Sequence, residues 1–465
     1  MGSDRSAAFQ IAVLERDVSE ILHLLRSLRN ALAPINKIPT EILTLIPEFC
    51  PLGEGDSRLV ALTHVCHTWR DMFTSCPSLW THLDCKNADK TRIYLERSMP
   101  SPVHLRLFRL NPLLPNDPFF EIDPPVISRL KSLDVRGQLE HVQEIASRLS
   151  YPAPLLQSLK MQTDPLPEGR EPCDLTTLFD GDLSSLRNLC LLTRCTELPW
   201  RNMVNLTSFL LCFTPHGGIS TTPLLDFFEG APHLQEVRLY FISPTPINQN
   251  RRLVSLTCLR KLFIRDRQPT SLLIGHLLIP VGASLHTEIE FHSRVEDHLP
   301  QSLDNLRNLA NFTQLRLRLE DPGLVVEFVG PNGEVSITST YSMVVPTGVV
   351  REFLDWFDTS TVEVLEITSH DHLPQDLAYR LLLPMKSLRT LTISPCNTLC
   401  PFIHALNPDV NLEGVLVCPR LEKLVFGTSE EEELDTEGME VARAARGAKV
   451  ELVQITLDGV SDGED

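Results

Sequence analysis

The sequence predicts an α/β protein: a helical N-terminal part, then a curved, mainly parallel sheet with helices on its outer face. Three observations carry that expectation. A short motif, L-x-x-L-x-L with aliphatic or aromatic substitutes, recurs from residue 130 onward. Stripes of apolar residues at helical spacing lie between its copies. Ahead of residue 84 the apolar residues keep helical spacing instead.

The chain opens with a heptad pattern. Ile11, Leu14, Val18, Ile21, Leu25, Leu28 and Leu32 alternate three and four apart, which is an a/d seam. One helix is expected over residues 7–33, capped by Ser6 and ended by Pro34. Two or so residues separate it from the next helical turn, so the seam is read as lying on that neighbour, with dimerisation as the alternative.

Residues 38–80 are the stretch around which the rest of the chain is organised. Pro39 is placed to start a helix and Glu41 to complement its dipole. Ile42, Leu45, Ile46 and Phe49 form one stripe; Gly53, Gly55 and Asp56 interrupt it. A second helix is expected to carry Leu59, Leu62, Val65, Cys66 and Trp69 on one face, followed by Leu79-Trp80. Two or three short helices in about 45 residues bury little surface, so some of these apolar residues are expected to face a partner.

The blocks Ile38-Pro39-Thr40-Glu41-Ile42-Leu43, Val65-Cys66 with Trp69-Arg70, and Leu79-Trp80 stand in an order that resembles the F-box, over roughly residues 35–83. One departure is Pro47, which stands where that family usually has an aromatic or aliphatic residue and should end or kink the first helix. The resemblance implies docking on an SKP-type adaptor, and through it on a cullin ligase, by Ile38, Pro39, Glu41, Ile42, Ile46, Leu59, Leu62, Val65, Cys66, Trp69, Leu79 and Trp80.

A helix from Asn87 to Ser98, with Ile93, Leu95 and Met99 inward, and a strand from Val103 to Leu110 are expected next. Pro112, Pro115, Pro118, Pro124 and Pro125 mark the end of a connector over 84–125. The motif then begins at 130, 156, 186, 206, 234, 259, 312, 362, 388 and 421, with a terminal copy at Val450/Val453/Ile455. Two intervals, of 53 and 50 residues, are about twice the others. One holds Leu285 to Phe291; the other holds Val325 to Ile337, with Asn332-Gly333 as a hairpin turn. Helical stripes fall at Val142/Ile145/Leu149, Leu224 to Phe228, Val350/Phe353/Leu354/Phe357 and Leu377/Leu381/Leu382. A period of this length with this consensus is the leucine-rich-repeat signature, and each unit buries its apolar strand face only by stacking on its neighbours. The expected organisation is a heptad helix (1–34), the F-box-like segment (35–83), the connector (84–125), irregular leucine-rich repeats (126–427) and an acidic segment with a last strand (428–465). The combination resembles the F-box proteins of mushroom-forming (basidiomycete) fungi.

The net charge is −18, which argues against general binding to nucleic acid or an acidic membrane. No apolar run reaches 18 residues and no basic segment followed by an apolar core opens the chain, so neither a membrane span nor a secretory signal is expected. The 12 cysteines contain no CxxC pair and read as reduced, in a cytosolic protein with the nucleus open. No phosphate-loop, nucleophile-elbow or zincin motif occurs. His370-Asp371-His372, the pair Cys396 and Cys400, and the group His64, Cys66 and His67 lack the further ligands or neighbours that chemistry needs. No catalytic, metal or cofactor site is expected. Outward positions of the repeat strands give Arg238, Tyr240, Phe263, Arg265, Arg316 and Arg318, a basic and aromatic column expected to bind an acidic or phosphorylated target segment.

Overall fold

The computed structural model describes residues 2–46, 57–109, 123–163, 173, 175, 177–193, 203–212, 221–245, 252–290, 294–309, 312–320, 323–331, 333–340, 350, 356–369, 373–394, 399–428 and 436–456. The chain forms two compact units, Met1–Leu159 and Lys160–Asp465.

The first unit starts with one helix, Gly2–Leu32, longer than expected by a turn at its start, so that Ser6 lies within it and is not its cap. A 3-10 turn, Pro34–Lys37, comes directly after it. The heptad seam does not lie on the neighbouring segment. Ile11, Leu14, Val18, Ile21, Leu25, Leu28 and Leu32 are all exposed; among the described residues nothing covers them.

Short helices come next: Thr40–Leu43, with Pro39 as its N-cap, then Ser57–Thr63 and His67–Thr74. The single helix expected across Leu59 to Trp69 is thus two. Its break is at Cys66, whose extended backbone caps the second helix. Pro47 and Phe49 lie outside the described residues. The small core is Leu43, Trp69, Met72 and Phe73, with Ile46, Leu62, Cys66 and Leu79 packed against it. The Trp69 and Phe73 rings meet edge to face, with centroids 5.5 Å apart.

Strand β1 (His82–Asp84) then pairs in parallel with β2 (Val103–Arg109), which pairs in parallel with β3 (Leu130–Gly137). The connector segment therefore contributes a full strand to the sheet. The helix between β1 and β2, Ala88–Arg97, starts at Asn87, whose Oδ1 accepts from the Lys90 N–H at 2.9 Å. Its inward residues are Thr91 and Tyr94, whereas Ile93 and Met99 are exposed. Trp80 sets that phase: its fully buried indole meets the Tyr94 ring edge to face at 4.8 Å.

Strand β4 (Ser158–Thr163) runs through the division between the units. The second unit carries β5 (Asn188–Leu192), β6 (Ser208–Cys212), β7 (Glu236–Tyr240), β8 (Val254–Ser255), β9 (Lys261–Asp266), β10 (Leu277–Leu278), β11 (Ser284–Glu290) and β12 (Gln314–Glu320). It continues with β13 (Gly323–Gly330), β14 (Gly333–Thr340), β15 (Val364–Ser369), β16 (Thr390–Ser394), β17 (Lys423–Thr428) and β18 (Glu451–Thr456). Their order in the sheet is β5-β6-β7-β9-β11-β14-β13-β12-β15-β16-β17-β18, while β8 and β10 form a separate parallel pair. The main sheet is parallel except at β13, which runs antiparallel to both neighbours. The Val325 to Ile337 stretch is the expected hairpin, and it is inserted bodily between two repeat strands.

Alternation explains the sheet residue by residue, because successive side chains of a strand face opposite sides. The consensus residues of the first ten motif copies are at most 7% exposed. The helix Thr221–Glu229 covers this apolar face, with Phe227 4.6 Å from the Phe209 ring of β6. The terminal copy is out of phase by one. Leu452, not Val453, pairs with the core residue Leu424, so Val453 and Ile455 fall on the other side. A slip of one residue exchanges the two faces. Among the described residues no helix is long and apolar enough to cross a membrane.

Candidate docking surfaces

The helical segment around residues 35–80 has an interior and an exterior, and the expected adaptor residues divide between them. Leu59, Trp69 and Trp80 are 6%, 6% and 0% exposed. They belong to the interior of the segment, not to the outward face that a direct adaptor contact requires. Each indole is satisfied from within: Trp69 Nε1 donates to Asn36 Oδ1 at 2.6 Å, and Trp80 Nε1 to the Phe73 carbonyl at 2.8 Å. Ile46, Leu62, Cys66 and Leu79 are half-buried against the core. Ile38, Pro39, Glu41, Ile42 and Val65 face outward, joined by Ile35, Leu45 and Val60. The stripe of Ile42, Leu45 and Ile46 does not share one face: Leu43 and Ile46 turn toward the core while Ile42 and Leu45 turn out. A four-residue helix has little choice here, since a single turn offers one inward position.

The second surface is the face of the main sheet opposite the consensus residues. Register places Arg238 beside Phe263, Phe263 beside His286, and Tyr240 beside Arg265. The rings follow suit. Tyr240 and Phe263 are 5.2 Å apart, and Phe263 and His286 are stacked 4.7 Å apart, 8° from parallel. Burial holds the His286 imidazole below its ordinary pKa, so it sits in this stack uncharged at neutral pH.

Arg316 and Arg318 lie on β12, separated from β9 by β11, β14 and β13, or about 19 Å at roughly 4.8 Å per strand step. The inserted hairpin does this, and it brings an acidic residue with it. The arginines are not a bare basic column. Arg238 pairs with Glu236 at 2.6 Å, Arg265 with Glu288 at 3.4 Å and Arg316 with Glu366 at 2.9 Å. Glu327 of β13 lies 3.7 Å from Arg316 and 3.4 Å from Arg318. The surface is an aromatic stack flanked by neutralised ion pairs, which corrects the expectation of clustered positive charge.

Sequence reasoning missed His286, Glu288, Glu327 and Glu366. The first two went unseen because β11 departs from the motif: Thr287 occupies its central inward position, where the motif copies have an apolar residue. The reason is local, since the Thr287 hydroxyl hydrogen-bonds the buried His298 ring at 3.2 Å. Alternation through Leu324, Val326 and Phe328 would have found Glu327.

No group of side chains able to hold a metal ion occurs among the described residues. His67 Nδ1 lies 2.8 Å from Asp71 and is well exposed, while Cys66 is turned to the core. Burial pushes the Cys418 thiol up to about 12, and it donates to the Leu382 carbonyl. His370 to His372 and Cys396 lie outside the described residues. No protein-family model matches the chain, and no curated protein matches it either.

Proposed function

We propose that the chain is a non-catalytic substrate receptor of an SCF-type ubiquitin ligase: residues 35–83 act as an F-box docking on an SKP-type adaptor, and irregular leucine-rich repeats hold a target. One observation carries the reading. The helical segment closes a core of its own around Trp69 and Phe73, yet keeps Ile38, Ile42, Leu45 and Val65 exposed at 37%, 52%, 41% and 57%. Side chains of this kind on so small a unit suit a partner's apolar groove. The ligase's other subunits would supply the chemistry, and the receptor would contribute proximity between target and conjugating enzyme. The aromatic stack with its ion pairs suits a target segment of mixed charge carrying an apolar or aromatic anchor.

The pairing of β1 with β2 supports a second reading, in which the same helices cap a leucine-rich-repeat scaffold that has no part in ubiquitin transfer. Co-expression with an SKP-type adaptor separates the two. On the first reading the intact chain captures the adaptor, and Ile42→Glu with Val65→Glu abolishes capture while the protein stays folded. A soluble double variant that still binds the adaptor, or a wild-type chain that never does, leaves only the cap.

A further inference from the structure

We propose that the helix Gly2–Leu32 pairs antiparallel with the same helix of a second copy of this chain. The helix is about 46 Å long at 1.5 Å per residue, and its seam keeps strictly to the 3.5-residue repeat that a straight helix does not sustain alone. The whole seam is solvent-exposed within its own chain.

Charge and apolar positions beside the seam choose the partner and its direction. With Ile11, Val18, Leu25 and Leu32 at a and Leu14, Ile21 and Leu28 at d, the e positions are Glu15, Leu22 and Arg29, and the g positions include Asp17 and Leu24. In a parallel pair g faces e of the next heptad, which sets Asp17 against Leu22 and Leu24 against Arg29; no opposite charges meet. In an antiparallel pair e faces e and g faces g. Stacking Leu14 on Leu32, Val18 on Leu28 and Ile21 on Leu25 of the second copy then brings Glu15 onto Arg29 at both ends. At the centre Leu22 meets Leu22 and Leu24 meets Leu24. The broad apolar middle of the helix, where Leu22 and Leu24 are 47% and 64% exposed, is thereby covered.

The ion pairs have no competitor within the helix. Neither Glu15 nor Arg29 has an oppositely charged residue three or four positions away, whereas Arg16, on the far side of the seam, is engaged with Asp17 and Glu20. Self-complementarity of this kind is what a two-fold interface requires.

Sedimentation equilibrium of the full chain tests the proposal. The wild type should weigh twice 52.4 kDa. Glu15→Arg and Arg29→Glu should each weaken the dimer by roughly tenfold or more, since each variant turns two attractions into two repulsions. The combined swap should restore it. All three variants alter only an exposed helix, so folding is not at issue. A wild type that stays monomeric at micromolar concentration overturns the pairing. A dimer indifferent to the single swaps, or not rescued by the double one, overturns the antiparallel arrangement. None of these outcomes depends on whether the chain binds an adaptor.

Discussion

Trp69 gives its indole N–H to Asn36 at 2.6 Å, and Asn36 in turn gives its own amide N–H to the Asn30 carbonyl at 2.6 Å. One asparagine thus ties the last turn of the long helix to the core of the helical segment. Asn36→Ala strands the indole donor in a site where Trp69 is 6% exposed. The expected loss is about 1–3 kcal/mol. Trp69→Ala also empties the core beside Phe73, for about 3–5 kcal/mol. Denaturant unfolding followed by tryptophan fluorescence checks both. An Asn36→Ala protein as stable as the wild type would show that the bond contributes nothing net.

Gly333 opens β14 against the turn that leads into β11. A Cβ there would stand 2.7 Å from the Val281 carbonyl oxygen and 3.0 Å from that of Ala283. Both are backbone atoms, so relief requires moving a strand. Gly333→Ala is expected to cost about 1–3 kcal/mol and to raise hydrogen exchange in β13 and β14 before the rest of the sheet. Uniform protection across β11 to β14 in the variant would refute this.

The sheet was the legible part of the fold. Leu, Ile and Val at a two-residue alternation leave a strand one way to face a core, so the inward positions of ten copies could be read off directly. Legibility failed where one residue decides the phase. Leu452 and Val453 are both apolar, and only pairing with Leu424 tells them apart. It failed again in the helical segment, where single-turn helices erase the periodicity that would have marked Leu43 as inward. The face proposed for docking was half legible. Arg238, Tyr240, Phe263 and Arg265 do share one surface, but two of the carboxylates around it, Glu288 and Glu327, come from a strand that departs from the motif and from the inserted hairpin.

His298 sets an acid limit on the second unit. It is buried beside Thr287 and Thr270, and that burial, with His286 adding to it, lowers its pKa from 6.5 to about 3. An imidazole kept neutral in the fold but free to take a proton when unfolded contributes stability in full above about pH 6.5. The contribution falls as pH drops toward the depressed value, by at most about 1.4 kcal/mol per pH unit. The unfolding midpoint should therefore decline between about pH 6.5 and pH 4, and decline less in His298→Gln. Parallel curves for the two proteins would assign the acid sensitivity elsewhere.

The face proposed to hold a target yields the sharpest functional prediction, because its two ingredients respond differently to the same experiment. Arg238, Arg265, Arg316 and Arg318 already have Glu236, Glu288, Glu327 and Glu366 within ion-pair distance. A partner approaching them meets little net charge to attract it, and partly exposed pairs contribute little each. The Tyr240, Phe263 and His286 rings offer a continuous apolar edge that gains from being covered. Capture of a target through this face should therefore depend weakly on salt. Phe263→Ala should cost about 2 kcal/mol of binding, the range of a central aromatic anchor, or roughly thirtyfold in Kd. Reversing Arg316 and Arg318 to Glu should reduce binding less, while it destabilises the sheet by crowding carboxylates around Glu327. Should capture instead collapse with rising salt and ignore Phe263→Ala, charge rather than the ring stack holds the target.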